Sequence, residues 1–315
     1  MGKNAKLSVI LRLLVSFGLL GALAWILRKD FSEIKMVLAA ANKETIGVAM
    51  AIFVVLTVWL ALRMKVVFEG ENLSLSFIES LELTWMGYFF NNFMPTSVGG
   101  DIVKAHLSVK SKEERIRSYA SVLMDRLIGL YSFLLFAGIA LVVDKGKTQI
   151  PLLRPVVFSL IAVGVLIFMA VTSMRIAKLM EKTFVRFRLW DLGNKLDSVY
   201  KIVHDYRNRI DVVMKAIIIS FVNQCLFFYA IYLFLVALGT DIRLGQVFLL
   251  MPIVVFISMV PSIGGLGVRE GAMVALFAPF VGKEAAFAAS ILHLFGLICI
   301  SFLGGGSIFL LGNSA

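Results

Sequence analysis

Met94-Pro95-Thr96-Ser97-Val98-Gly99-Gly100-Asp101 interrupts one apolar run of this chain, and Val260-Pro261-Ser262-Ile263-Gly264-Gly265-Leu266-Gly267-Val268-Arg269-Glu270 interrupts another. Both stretches carry Pro, then Ser, a β-branched residue, Gly-Gly and a charge. Pro and paired Gly stop helices, because one lacks an N–H and the other costs backbone entropy. Inside a membrane, backbone freed at such a break is tolerated only where protein or a water-filled cavity receives it. Two matching breaks, one in each half of a polytopic chain, point to a transporter built from internal repeats, with its substrate site at the breaks.

The surroundings of the breaks fix the solvent. Hydrophobic residues make up 60% of the 315, and the mean hydropathy is +0.92. Asp, Glu, Lys and Arg are absent from Ile46–Leu62, Leu127–Val143, Pro155–Met174, Ala216–Thr240, Leu244–Val268 and Ala285–Ala315. A spanning helix needs about 20 mainly apolar residues. The expected fold is therefore an all-α polytopic membrane helical bundle. Leu7–Leu27, interrupted by Arg12, is a further candidate span. It leads into Arg28-Lys29-Asp30 without a small-residue cleavage site, so it reads as a retained first helix and not a signal peptide. Cys225 and Cys299 fall within apolar segments as two small buried hydrophobes, with no disulfide or metal spacing.

About six full spans are expected, near 7–27, 46–68, 119–143, 155–174, 212–238 and 285–311, with an external loop at 28–45. Leu81–Phe93 is only 13 residues long, too short to cross. It ends at the first break and is followed by the amphipathic piece Ile102–Val109 and the basic stretch Lys110–Arg117. Leu244–Val260 runs into the second break, after which Gly271–Gly282 is again short. Each break thus belongs to a re-entrant broken hairpin. The whole of 1–315 reads as one transmembrane domain. Its first repeat covers about 46–143 with the break at 94–101, and its second about 212–311 with the break at 260–270. Between them, 175–211 holds nine Lys/Arg and five Asp/Glu. Its apolar residues Leu192, Leu196, Val199, Val203, Tyr206 and Ile210 recur at spacings of four and three. That pattern predicts an amphipathic helix on anionic inner-leaflet lipid, or else a solvated helical hairpin.

The net charge of +11 bears on sidedness. With both termini in the cytoplasm, 20 Lys/Arg lie inside and nine outside, as the positive-inside rule favours. The plasma (cytoplasmic) membrane is the expected location. In that orientation the two broken hairpins open from opposite sides, which is what an inverted repeat produces. No basic segment carries a nucleic-acid-binding motif, so a nucleic-acid partner is not expected.

Charges at membrane depth are functional candidates by default. They are Glu79, Glu82, Asp101, Lys104, Asp125, Arg126, Arg269 and Glu270. Ser97 and Ser262 suit N-caps of the helices that follow. Gly99, Gly100, Gly264 and Gly265 let a ligand approach the backbone. A helix N-terminus at each break would favour a phosphate or carboxylate. Arg269 would add a bidentate contact, and Lys104 or Arg126 a second positive charge. Asp101, Asp125 and Glu270 would balance these cations in an empty site, bind a headgroup amine or carry protons. The structural alternative is that Asp125-Arg126 and Arg269-Glu270 only neutralise charges across helices and pin the hairpins. For Glu79 and Glu82 the structural alternative is that they only mark the membrane entrance. Asn91 and Asn92 would satisfy freed carbonyls or contact a headgroup, and Asn223-Gln224 would bond between helices. His106, His204 and His293 lie far apart and receive no catalytic or metal role. No metal and no cofactor are expected.

Three motifs in order carry a family resemblance. Asn91–Asp101, then Ala120-Ser121-Val122-Leu123-Met124-Asp125-Arg126-Leu127-Ile128-Gly129, then Pro261–Gly271 resemble the transmembrane region of lysylphosphatidylglycerol synthase. The likeness covers about 7–311. In multi-domain members this region is taken to flip aminoacylated phosphatidylglycerol, while a separate soluble domain makes that lipid. The chain ends at Ala315 directly after a membrane helix, so the resemblance implies a stand-alone, flippase-like protein without lysyl transfer. Similar stand-alone regions beside polyprenol-linked glycosylation make a polyprenyl phosphate or glycolipid as plausible a substrate as a phospholipid.

The leading expectation is a lipid translocase in which a headgroup enters between the hairpins while its acyl chains stay in the bilayer. No nucleotide-binding motif is present, so a gradient or mass action would supply energy. One alternative is a membrane glycosyltransferase or accessory subunit using a polyprenyl-linked lipid, with Asp101 or Glu270 as base. The longest polar stretch, 37 residues, argues against an extramembrane acceptor site. A second alternative is a small-solute or ion transporter. A non-enzymatic role is expected, and a homodimer is left open.

Overall fold

The computed structural model describes residues 21, 31–93, 99–109, 111–144, 153–172, 206–258 and 265–312. Within them the chain forms ten α-helices and no strand. These are α1 (Phe31–Ala40), α2 (Lys43–Gly70), α3 (Phe77–Phe93), α4 (Gly99–Leu107), α5 (Lys112–Asp144), α6 (Leu153–Thr172), α7 (Ile210–Ala237), α8 (Leu244–Ile257), α9 (Val268–Val281) and α10 (Lys283–Gly312), with a 3-10 turn at Tyr206–Asn208 before α7. Four segments are long and apolar enough to cross a membrane: Lys43–Gly70, Glu114–Val143, Ile210–Ala237 and Lys283–Gly306. The protein is an all-α membrane helical bundle. The expected span at 7–27 lies outside the described residues, Gly21 apart, as do the break residues 94–98 and 259–264 and the amphipathic segment up to residue 205.

The order short helix, break, short helix, long helix occurs twice. In the first half it is α3, α4 and α5, of 17, nine and 33 residues. In the second it is α8, α9 and α10, of 14, 14 and 30 residues. At about 1.5 Å per residue, a 14-residue helix falls short of the roughly 30 Å hydrocarbon core. Helix α3 starts four residues before the expected Leu81, because Ser76 and Glu79 form a reciprocal cap. The Ser76 N–H donates to Glu79 Oε2 at 2.7 Å, and the Glu79 N–H donates to Ser76 Oγ at 3.2 Å. That capping box supplies two otherwise orphaned donors with partners. It gives Glu79 a definite local role.

Three expectations need correction. The loop expected at 28–45 contains α1. Ile34 of that helix is buried, and Ile34 and Leu38 pack with Val274 and Phe287, a one-sided apolar stripe at helical spacing. The basic stretch Lys110–Arg117 is largely the first two turns of α5, since no Pro or Gly there stops it. Cys225 and Cys299 are exposed and not buried, on apolar helices whose outward sides suit lipid.

The described chain divides into two compact units. One comprises residues up to Val58, Thr84–Gly100 and Asn223–Ala315; the other comprises Trp59–Leu83 and Asp101–Val222. In the first, α9 packs on both α8 and α10, and α10 also packs on α1. Trp85 Nε1–H donates to Thr57 Oγ1 at 3.0 Å, tying α3 to α2. In the second, α5 packs on α6. A core of Val67, Ala120, Met124, Ile128 and Ala216 closes round the buried ring of Tyr206. The Tyr206 hydroxyl donates to the Val67 carbonyl at 2.8 Å and accepts from Ser121 Oγ at 3.3 Å. Burial raises the pKa of this phenol, against a smaller opposing effect of the Ser121 bond.

Candidate functional site

The second break ends on a turn at Gly265–Gly267 that leads into α9. Gly265 and Gly267 have φ of +79° and +80°, a region an L side chain enters at a cost of about 1–2 kcal/mol. This conformation aims the Gly267 N–H at the side chain of Glu270, whose Oε2 accepts it at 2.6 Å. The other oxygen, Oε1, accepts from Arg269 Nη2 at 2.7 Å and from Arg269 Nε at 3.1 Å. Helix α9 therefore begins at Val268, with Gly267 as its N-cap and the carboxylate of Glu270 holding the N-cap N–H. Ser262 and Gly264 lie outside the described residues. Both charges are buried, with side-chain exposures of 7% for Arg269 and 2% for Glu270. Among the described residues, Arg269 Nη1 has no partner.

Asparagines hold the first break. Gly100 N–H donates to Asn91 Oδ1 at 2.9 Å. The amide thus satisfies a freed donor at the start of α4, where a carbonyl had been expected to need help. A Cβ at Gly100 would strike the carbonyl oxygen of Gly87. The start of α4 at Gly100 therefore lies backbone on backbone against Gly87 of α3. Asn92 turns away to α10, where Nδ2 donates to Ser301 Oγ at 2.6 Å and, more weakly, to the Leu297 carbonyl at 3.4 Å. A Cβ at Gly304, one turn further, would meet the Trp85 carbonyl. Gly99 and Gly100 are both buried, and Ser97 lies outside the described residues.

The remaining predicted residues belong to the second unit. Arg126 Nη1 forms an ion pair with Asp101 Oδ2. Their side chains are 41% and 18% exposed, so this pair is half open. Lys104 lies one turn after Asp101 on α4 and is partly exposed. Asp125 does not act with its neighbour Arg126. It faces Arg63 of α2, which donates through Nε at 2.7 Å and Nη2 at 2.9 Å, a bidentate fork. Arg63 Nη1 also donates to Ser220 Oγ of α7 at 3.1 Å. The structure thus brings together Asp101 with Arg126, Asp125 with Arg63, and Arg269 with Glu270, and keeps the sequence-adjacent Asp125 and Arg126 on separate partners.

Arg63, Ser220, Ser301 and Gly304 escaped the sequence reading. Arg63 carried a usable signal, since it follows directly on the charge-free run Ile46–Leu62. Among the described residues no three metal-ligating side chains converge.

The family model for the lysylphosphatidylglycerol synthase transmembrane region matches residues 9–304. The chain belongs to this family. A similar protein is the UPF0104 membrane protein PH1989 of Pyrococcus horikoshii, 25% identical over 276 residues, covering 79% of this chain and 81% of that one. In this member of the lysylphosphatidylglycerol synthase transmembrane family, both breaks and the pairs Arg63–Asp125, Asp101–Arg126 and Arg269–Glu270 lie inside the matched residues.

Proposed function

We propose that this protein moves an anionic, phosphate-bearing lipid headgroup between membrane leaflets, with Arg269 as its principal contact. One observation carries the reading. At the N-terminus of α9, a carboxylate is held by a backbone N–H and a guanidinium, which is the donor set an oxyanion requires. Glu270 is the resident anion there. A phosphate would take its place on the same donors and on Nη1, favoured further by the positive end of the helix dipole. Family membership supports a lipid-related role. Taken by itself, the second unit carries a separate cationic cluster, Arg126 and Lys104 of helices α5 and α4, in which Asp101 pairs with Arg126.

In this reading the chain is a carrier and not an enzyme. It uses no cofactor and resides in the plasma membrane with both termini in the cytoplasm. The acyl chains remain in the bilayer while the short helices at the breaks admit the headgroup. The lipid's own gradient or an ion gradient drives the movement.

Reconstitution into vesicles that contain headgroup-labelled phosphatidylglycerol, with a quencher added outside, tests this. Wild type exposes inner-leaflet label to the quencher. Arg269→Ala slows that exposure about ten- to hundredfold, the equivalent of one lost charge-assisted hydrogen-bond set at about 1.5–3 kcal/mol. Equal rates for the two proteins remove Arg269 from the site. Absence of transfer for phosphatidylglycerol, phosphatidic acid and polyprenyl phosphate alike removes the translocase reading.

A further inference from the structure

The anion site at the start of α9 already holds an anion of its own. Glu270 Oε2 accepts from the Gly267 N–H at 2.6 Å, and Oε1 accepts from Arg269 Nη2 and Nε at 2.7 Å and 3.1 Å. The Glu270 side chain is 2% exposed. Together with Arg269 it makes a neutral, buried site. A phosphodiester that takes these donors parts the carboxylate from all of these partners. Two anions would then share one guanidinium in an apolar interior. An ionised carboxylate left there without a partner is so costly that it takes a proton instead.

No second cation stands ready to receive the displaced carboxylate. Among the described residues of this unit, Arg269 is the one buried Lys or Arg. Helix α9 carries no further charge after Glu270. It packs on α8 and α10 and meets α1 through Val274. Helix α8 has no charged residue. On α1, Glu33 and Lys35 flank the buried Ile34 and are exposed. On α10, Lys283 and Glu284 sit in the first turn, past the far end of α9. The other titratable groups of α10 are Cys299, which is exposed, and His293. His293 is buried, and its Nδ1 has no hydrogen-bond partner among the described residues, which makes it the rival proton acceptor.

We propose that Glu270 is a displaceable counter-ion that takes up one proton for each anionic headgroup bound at Arg269, so that the site carries lipid anion and proton together. The proton comes from water and joins a carboxylate oxygen of Glu270 as the carboxylate leaves Arg269 and the Gly267 N–H. When the headgroup departs, the carboxyl returns the proton to water and goes back to both donors. The site is neutral in either condition, with Arg269 balanced first by the carboxylate and then by the phosphodiester. A proton gradient thereby acts on headgroup movement. One proton taken up per headgroup also sets a sign: affinity rises about tenfold for each unit by which the pH falls. This holds above the ordinary Glu range near about pH 4.3. The inference rests on the anion-binding reading of Arg269.

The test uses the full chain in neutral detergent micelles titrated with dihexanoyl-phosphatidylglycerol. Calorimetry in buffers of different ionisation heat gives the affinity and counts the protons. Wild type takes up about one proton per lipid, and its affinity rises about tenfold per unit from about pH 8 to 6. Glu270→Gln, which imitates the protonated carboxyl, binds without uptake and with an affinity that pH no longer changes. His293→Gln keeps both the uptake and the slope. Wild type binding with no uptake overturns the proposal, and that result needs no variant. Uptake by Glu270→Gln equal to wild type overturns it too. So does uptake lost in His293→Gln while lipid still binds, which assigns the proton to the imidazole. These three results leave the anion site standing. Absence of binding by wild type, or binding by Arg269→Ala equal to wild type, removes the anion site itself, and the proton step falls with it.

Discussion

The two breaks share their wording and differ in how their charges are settled. At the second, the cation and anion are consecutive residues on the first turn of one helix, and both are buried. At the first, Asp101 finds its cation 25 residues further on, on the long helix α5, and the pair is half open. A buried pair closed on itself carries the full desolvation cost of its charges, and removing one partner strands the other. A half-open pair shares that cost with water. Similar glycine grammar therefore builds a tight oxyanion cradle in one half and a looser charge cluster in the other.

Single truncations sharpen this contrast most. Glu270→Ala leaves Arg269 buried without its partner, so a loss of about 3–5 kcal/mol is expected. Asp101→Ala leaves Arg126 partly hydrated, and about 1 kcal/mol or less is expected. Unfolding of the purified variants in detergent, followed by helical signal, measures both. Equal losses would break the comparison.

Glycines give the next largest difference. A Cβ at Gly100 would meet the Gly87 backbone, which is no flexible side-chain tip, whereas Gly271, inside α9, has open space around its Cβ position. Gly100→Ala should cost about 1–3 kcal/mol through overpacking. Gly271→Ala should be neutral or stabilising by about 0.5–1 kcal/mol, the helix-propensity gain. The same unfolding assay reads both, and a harmless Gly100→Ala would mean that α4 does not start backbone on backbone against α3.

A great deal of this was legible in the sequence, for one physical reason. Charge-free runs of about 20 residues and Pro-Gly breaks are local signals, and the bilayer allows few alternatives to a helix. The runs at 46–62 and 127–143 lie wholly within long helices, as do 216–237 and 285–312 of the two later runs, and Arg269 and Glu270 were flagged by depth alone. Partnership was not legible. Asp125 and Arg126 are adjacent, yet about 100° of helix rotation per residue sends them to different neighbours, one to Arg63 and the other to Asp101. Helix α1 hid because its apolar stripe is short and its exposed face holds Glu33 and Lys35. His293 received no role because a lone histidine in an apolar run has no motif, and its burial against Phe53 and Phe227 shows only in the packing.

Tyr206 gives a smaller effect, outside both breaks. Its phenol is desolvated, and the raised pKa favours the neutral form in the folded state. In the unfolded chain the group ionises near pH 10. Its contribution is complete below that value and is lost as pH rises beyond it through the folded pKa. Tyr206→Phe should cost about 1 kcal/mol at neutral pH and should flatten the decline in stability above about pH 10. An alkaline unfolding series on both proteins checks the sign, and parallel slopes would contradict it.

The smallest effect separates the two asparagines before the first break. Asn92 ties α3 to α10 through Ser301, and Ser301 also bonds to the Leu297 carbonyl of its own helix at 2.8 Å. Losing Asn92 therefore leaves the serine satisfied. A double-mutant cycle over Asn92→Ala and Ser301→Ala should give a coupling of about 0.6 kcal/mol, the usual scale between membrane helices, with about 1.7 as a ceiling. Asn91 has no such substitute, because the Gly100 N–H it accepts from belongs to a buried residue at the start of a helix. Asn91→Ala should cost more than the Asn92–Ser301 coupling, toward the 1–3 kcal/mol (roughly) of an unsatisfied buried donor. If the order is reversed, the tie to α10, and not the amide cap on α4, is what holds the first break in shape.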